Sequence, residues 1–477
     1  MPRRTVVLMQ PRIGDMDDFR DRPMPPMGLL SAVALARDRH DVVLVDQRTD
    51  RDWKGTLKDL LSSAPLAVGV TAMSGPTVGH ALDMVRVVRE TGDVPVVWGG
   101  THVTLRAGQI PPGDFLVLGE GEVTFAALLD RLASGRRDAE GIPGVWSREH
   151  RNPRAEVLDF GAVPLAAYDL VDFPRYLYSH RGLRALDYLS SRGCPHRCTY
   201  CYNSVFYRGR WSAKGADVVE AEVRYLRARY DFDALYFLDD NFFIDLRRAG
   251  DIVRLMPRLS LAYEIQGVDI QTIARMSDED LDALEASGLS KLTIGVESAS
   301  DRIRSKIGKW GDSAAALAAL RRLANRKFLV LTSFIIGFPT ETASEMDRTI
   351  EFALGLQELG ENFRFPQFYA YTPVPGTALA EELEGAGHAF PSSIEEFART
   401  DWDHYSLAAG DPARTQRLEA IAFLSKFIDR KHRDYGSRRF VSMLYEAYRP
   451  VALARLKMKM YSLLLERPLY GALKRLV

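Results

Sequence analysis

Valine-rich apolar runs recur along the first third of the chain, at 5–9, 41–45, 66–71, 95–98 and 115–118. Each run is continuous and not alternating, the pattern of strands covered on both faces in a parallel sheet. Between them, apolar residues return at helical spacing over 28–38, 53–62, 78–90 and 124–134. Strand and helix taken in turn predict a doubly wound, Rossmann-like α/β sheet over residues 1–140. Such sheets bind ligands in the crevice beyond the carboxyl ends of their strands. The segments at those ends, 10–27, 72–79, 99–105 and 119–122, are rich in glycine and small hydroxyl residues. A large planar ligand could approach the backbone closely there. None has the G-x-G-x-x-G order of a dinucleotide site.

Residues 141–184 read as an ordered connector with apolar residues throughout. A second alternation begins at 185. Strands are predicted at 185–190, 234–238, 262–266, 291–296, 329–336 and 363–371, and helices at 218–230, 246–258, 278–287, 314–326 and 344–359. This is a partial (β/α)6 barrel over 185–380, followed by a mostly helical region over 381–477. Barrel enzymes carry their chemistry at the carboxyl ends of the strands. Here those ends are a cysteine loop, Asp239-Asp240-Asn241, Gln266 with Asp269, Glu297-Ser298, Gly337-Phe338-Pro339-Thr340-Glu341 and Thr372-Pro373-Val374-Pro375-Gly376-Thr377.

Composition narrows the class. The 477 residues are 46% hydrophobic and 26% charged, with 63 Lys+Arg balanced by 63 Asp+Glu. That is a globular chain of two or three domains without the field of a nucleic-acid binder. The N-terminus runs straight into a strand and does not read as a signal peptide. The longest apolar run, 328–338, is too short and too polar to span a bilayer. Only three cysteines are present, which argues for a reducing cytosol over a disulfide scaffold.

All three lie in Cys194-Pro-His-Arg-Cys198-Thr-Tyr-Cys201. Three thiolates this close can converge on one metal centre. A 4Fe-4S cluster normally takes four cysteines, so one iron would be left for another ligand. A closed zinc site would need a fourth ligand, for which His196 is the candidate inside the loop.

The C-x3-C-x2-C spacing, with Tyr200 before the last cysteine, resembles the radical S-adenosylmethionine enzymes. In that family the open iron is chelated by S-adenosylmethionine, which is split to methionine and a 5′-deoxyadenosyl radical. The resemblance implies metal ligands Cys194, Cys198 and Cys201. It implies S-adenosylmethionine contacts from Tyr200, from Asp239 and Asp240 at the amino group, and from Glu297 and Ser298 at the ribose or methionyl carboxylate. Gly337 and Pro375 would flank the adenine. The N-terminal segments Pro25-Pro26-Met27-Gly28-Leu29-Leu30, Gly99-Gly100-Thr101-His102-Val103-Thr104-Leu105 and Gly119-Glu120-Gly121-Glu122 resemble the cobalamin-binding domain of the family's cobalamin-dependent branch. That implies a corrin held by Thr71, Ser74, Gly99, Gly100, Thr101, His102, Gly119, Glu120 and Gly121. His102 is either a corrin contact or a loop histidine satisfied by the backbone. Gly119 to Glu122 is either a corrin edge or a turn with capping carboxylates. Asp38-Arg39-His40 begins the D-x-H-x-x-G motif that ligates cobalt elsewhere, but Val43 stands where glycine should be. No histidine is therefore expected beneath the cobalt.

The cofactors so implied are a 4Fe-4S cluster, S-adenosylmethionine and cobalamin. The activity implied is methyl transfer to an unactivated carbon of a natural-product or lipid intermediate. Ring contraction or oxidative cyclisation with the same cofactors is the alternative, and a non-catalytic cobalamin and redox sensor is the alternative from another class. The partners expected are a small-molecule or lipid-like substrate and an electron donor such as flavodoxin or ferredoxin. Trp402-Asp-His404-Tyr405 reads as helix packing or a substrate-side cluster. The basic, leucine- and methionine-rich stretch 449–477 reads as an amphipathic helix pair closing the barrel, with a peripheral membrane contact as the alternative.

Overall fold

The computed structural model describes residues 3–14, 17, 22–108, 114–365, 367–399, 411–429 and 439–461. The first sheet contains β1 (Thr5–Gln10), β2 (Asp41–Asp46), β3 (Ala67–Thr71), β4 (Val96–Gly99), β5 (Phe115–Val117) and β6 (Val145–Trp146). Its order is β2-β1-β3-β4-β5-β6. The first five strands are parallel, and β6 closes the edge antiparallel to β5. The connector thus donates a strand to this sheet.

The helices are α1 (Met27–Ala32), α2 (Trp53–Ser62), α3 (Pro76–Thr91), α4 (Thr101–Leu105) and α5 (Glu122–Ala133). The two-residue period of β1 sorts them. Val7 and Met9 pack with Leu57 of α2 and Val78 of α3, while Val6 and Leu8 pack with Leu29 of α1 and Phe125 of α5. This is the doubly wound sheet expected, with the connection order reversing between β1 and β3. The apolar period of 28–38 outlasts its α-helix. After Ala32 the chain tightens into turns, with Ala34 N on Ser31 O and Ala36 N on Val33 O.

The second sheet curls into a half-barrel. Its strands are β7 (Tyr178–His180), β8 (Leu183–Tyr188), β11 (Ala234–Phe237), β12 (Ala262–Asp269), β13 (Leu289–Glu297), β14 (Leu329–Ile336), β15 (Phe363–Arg364) and β16 (Phe368–Ala370), with a small hairpin, β9 (Ser191–Gly193) and β10 (Trp211–Ala213), beside it. β8, β11, β12, β13 and β14 are parallel neighbours in that order, and β7 is antiparallel on β8. The run expected as one strand over 363–371 is two pieces, both pairing β14. Pro366 between them offers no N–H to a ladder.

The helices on this sheet are α6 (Asn203–Phe206), α7 (Ala216–Arg227), α8 (Leu246–Arg258), α9 (Ile270–Arg275), α10 (Asp278–Ala286), α11 (Asp301–Lys306), α12 (Ser313–Arg321) and α13 (Ala343–Leu359). Leu186, Phe237, Ile265, Leu292 and Phe334 face this outer layer in one continuous core. α14 (Ala378–Gly385), α15 (Ile394–Phe397), α16 (Pro412–Ser425) and α17 (Arg439–Lys457) follow. α16 and α17 extend the barrel core through Leu418, Ile421, Ala452 and Leu456. α15 instead returns to the first sheet, where Ile394 joins the core on the α3 side. The candidate cluster at 402–405 lies outside the described residues. Among the described residues no helix is long and apolar enough to cross a membrane.

Candidate active site

β8 runs almost directly into β9, and the β9–β10 hairpin fences off residues 194–210. Gly193 permits this: its φ is +76°, and a Cβ there would lie 2.2 Å from Arg210 O. Cys194, Cys198 and Cys201 follow, none of them in a disulfide. The loop is tied down on two sides. Gly193 N donates to Asp240 Oδ2 at 2.8 Å and the Tyr202 hydroxyl to Asp240 Oδ1 at 2.7 Å. Thr199 N donates to Ile307 O at 3.2 Å, and Leu379 N to Thr199 O at 3.0 Å.

Burial pushes all three thiols up, Cys201 to about 12, because a bare thiolate is poorly solvated there. Lys309 pulls the other way at Cys198. Three free thiols on one pinned loop, the only cysteines of the chain, fit an iron–sulfur cluster.

The other strand ends surround this loop. Asp239 is buried and accepts from Ser190 N at 2.8 Å, Ser190 Oγ at 2.6 Å and Ser191 Oγ at 2.5 Å. Both aspartates at this strand end therefore hold the start of the cysteine loop. Ser298 Oγ is also engaged internally, accepting from Ser300 N at 3.1 Å and lying 3.3 Å from Thr349 Oγ1. Glu297 ends β13 at φ +69°, a strained value for this residue type. Its carboxylate faces the buried Lys309 ammonium and the Tyr200 phenol. Asp269 is the second carboxylate on Lys309 and also caps α9 through Gln271 N.

The Tyr200 ring stands edge-on to Phe338, which leans on Tyr371, so the aromatic before the last cysteine roots the loop in a small core. Gly337, at φ +80°, donates its N–H to Glu341 Oε2 at 2.5 Å, and Phe338 N donates to the same oxygen at 3.1 Å. Burial pushes Glu341 up to about 7, and its Oε1 has no partner. Pro375 is buried, and a Cβ on the neighbouring Gly376 would lie 3.3 Å from Val205 of the cysteine loop.

At the first sheet, Gly100 leaves β4 at φ +98°, where a Cβ would meet Ala72 O at 2.6 Å and Thr71 Oγ1 at 2.8 Å. A Cβ on Gly99 would meet nothing within 4 Å, so the backbone lies open there. Thr104 Oγ1 donates to Gly100 O and accepts from Gly119 N, both at 2.9 Å, joining two of the glycine segments. Thr101 opens α4. Ser74 Oγ is 3.0 Å from His102 Nδ1, while His102 Nε2 is buried without a partner. Burial lowers the His102 pKa to about 4, so the ring is neutral. An open glycine edge beside an unsatisfied polar atom fits a large planar ligand such as a corrin. His40 lies elsewhere: it immediately precedes β2, at the amino end of that strand.

Glu120 and Glu122 reach away from the first sheet. Arg192, two residues before Cys194, is 2.6 Å from Glu122 Oε1 and 3.3 Å from Glu120 Oε1. Glu120 Oε2 also accepts from Leu158 N at 2.8 Å. Arg154 lies against Gly119 and donates to the carbonyls of Val205 and Phe206 at 3.0 and 2.7 Å. The two strand-end edges therefore face each other directly. Arg192, Arg154 and Lys309 were not legible as site residues. Their partners are distant in sequence, and nothing local distinguishes them from surface cations.

A model of the Radical SAM superfamily matches residues 188–353, and a model of the B12 binding domain matches residues 20–129. The chain is 33% identical over 373 residues to an uncharacterized methyltransferase of Pyrococcus horikoshii, covering 75% of this chain and 78% of that one. It is 25% identical over 383 residues to the cytidylyl-2-hydroxyethylphosphonate methyltransferase of Streptomyces wedmorensis, covering 70% of each. It is 24% identical over 351 residues to an anaerobic magnesium-protoporphyrin IX monomethyl ester cyclase of Synechocystis, covering 70% and 69%. In fold it is similar to the radical S-adenosylmethionine methyltransferase TsrM of Kitasatospora setae, with a TM-score of 0.69 and 19% identity over 96% of this chain and all of that one. It is likewise similar to the cobalamin-dependent radical enzyme OxsB, with a TM-score of 0.74 and 17% identity over 99% and 75%.

Proposed function

The chain belongs to the cobalamin-dependent radical S-adenosylmethionine enzymes, and we propose that within this family it transfers a methyl group to an unactivated carbon of a small organic or lipid-like substrate. When bound, the cluster with S-adenosylmethionine supplies a hydrogen-abstracting carbon radical, and cobalamin supplies a transferable methyl group.

The observation that carries the reading is the direct facing of the two strand-end edges, with Glu122 of the first sheet 2.6 Å from Arg192 of the cysteine hairpin. A reaction needing two large cofactors on one substrate atom requires both edges at a single mouth. Cys194, Cys198 and Cys201 would hold the cluster there. The backbone at Gly99, Gly100 and Gly119, with Ser74 and His102, would receive the corrin. The side chains of Asp239 and Ser298 are spent within the protein, so their contribution to S-adenosylmethionine would come through the backbone. Glu297, Gly337 and Pro375 border the same mouth. A flavodoxin- or ferredoxin-like electron donor and a cytoplasmic location complete the reading.

The test is product analysis. Anaerobically reconstituted protein given S-adenosylmethionine, hydroxocobalamin and a low-potential reductant should form both 5′-deoxyadenosine and S-adenosylhomocysteine. 5′-Deoxyadenosine alone would point to ring contraction or oxidative cyclisation, and neither product would point to a sensor.

A further inference from the structure

Arg192 is buried against two carboxylates that belong to the other sheet. Its guanidinium bonds Glu122 Oε1 at 2.6 Å and Glu120 Oε1 at 3.3 Å, and it stacks 4.3 Å from the centroid of the Phe160 ring. All three charged side chains are less than a tenth exposed. Burying three charges is costly, and an ion triad of this kind is poor evidence for stability as such. Its use is better sought in geometry.

The triad joins two particular places. On one side, Glu120 and Glu122 follow Gly119 at the carboxyl edge of the first sheet. On the other, Arg192 is followed by Gly193, whose N–H is pinned to Asp240, and then by Cys194. No flexible linker lies between the triad and either cofactor edge. One terminal nitrogen, Nη1, bonds both acceptors while the Phe160 ring lies against the guanidinium, so the group is held at one point between the two sheets. Arg154 acts in parallel, bonding the α6 carbonyls from beside Gly119.

We propose that Arg192 is a positioning residue that sets the separation and orientation of the cluster loop relative to the cobalamin edge. This rests on the reading above that both cofactors sit at these edges. Arg192 itself touches neither reacting atom; it acts through Gly193 and the cysteine loop. Glu122 is its principal partner and Glu120 the secondary one.

The test reads distance and not turnover. The full-length protein is loaded with iron, sulfide and hydroxocobalamin and brought to a state in which the reduced cluster and cob(II)alamin are both paramagnetic. Frozen-solution electron paramagnetic resonance then reports the dipolar broadening and relaxation enhancement of the cobalt signal by the cluster. In Arg192→Met, iron and cobalamin contents should remain near wild type while the enhancement falls several-fold. Glu122→Gln, which leaves Arg192 only Glu120 as a charged partner, should fall in between. Enhancement unchanged in both variants would overturn the proposal. If Arg192→Met does not fold, Glu122→Gln decides alone, by a reduced or an unchanged enhancement. A wild type in which the two centres show no coupling would also overturn it. Because no substrate is needed, coupling that depends on Arg192 in a protein forming no S-adenosylhomocysteine would refute the methyl-transfer reading alone.

Discussion

The Lys309 ammonium stands 3.5 Å from Glu297 Oε1, in a pocket where both side chains are less than a tenth exposed. Asp269 Oδ2 is equally close on another side, and Lys309 Nζ donates to Gly295 O at 3.2 Å. The two carboxylates raise the lysine's pKa against the opposing effect of burial. One cation thus joins the ends of β12 and β13, and its charge also acts on Cys198. Lys309→Met would leave the two buried carboxylates with only Arg304 as a nearby cation. We expect the cofactor-free protein to lose about 3–5 kcal/mol in denaturant unfolding. Unchanged stability would show that Lys309 is not their counter-charge.

Glu297→Gln tests the ligand side of the same pair. The substitution keeps the shape but removes the charge. If the carboxylate also serves S-adenosylmethionine, losing that bond costs about 1.5–3 kcal/mol, or roughly ten- to a hundred-fold in affinity. Cobalamin content should not change. Normal S-adenosylmethionine binding in a destabilised variant would confine Glu297 to its bond with Lys309.

The cysteine loop makes the simplest prediction. Reconstituted protein should hold about four irons on three cysteines. Replacing Cys194, Cys198 and Cys201 together by alanine should abolish the broad iron–sulfur absorption. A full cluster in that triple variant would refute the assignment.

Glu341 should give stability a pH slope of definite sign. Burial raises its pKa from 4.5 to about 7 in the folded protein. Between those values the unfolded chain has released the proton that the folded chain keeps. The group's contribution is therefore full below about pH 4.5 and is lost as pH rises through about 7. The loss is about 3 kcal/mol. Glu341→Gln keeps an acceptor for Gly337 N and should flatten this slope in unfolding measured from pH 4.5 to 8. An identical slope in the variant would show that Glu341 is not its source.

The cobalt should carry no histidine on its lower face. His40, the one histidine in a partial cobalt-ligating motif, lies at the amino end of β2, while the glycine edge lies at the carboxyl ends of the strands. The cob(II)alamin spectrum should show no nitrogen superhyperfine splitting from the protein. Splitting that disappears in a His102 variant would place that ring on the metal.

Much of this protein was legible in its sequence because the relevant physics is local. Continuous valine runs separated by helical periods can be buried only as parallel strands between helices, and β14 (Leu329–Ile336) and α8 (Leu246–Arg258) lie where the pattern puts them. Three cysteines within eight residues must share one loop whatever the fold. The strand ends are readable for the same reason, since a strand that stops at Glu297 or Gly337 presents those residues at its mouth. The partners of these groups were a different matter. Glu297 and Ser298 read as free to meet a ligand, but the folded chain brings Lys309 to one and Thr349 to the other. Glu120 read as either a corrin contact or a capping residue, and the fold sets it against Arg192, 72 positions away. Electrostatic pairing depends on distance in space, and long-range contacts leave no period in the chain. The sequence by itself therefore determined which elements form and which chemistry they carry. Only the tertiary structure decided which charges are spent holding the two cofactor edges together.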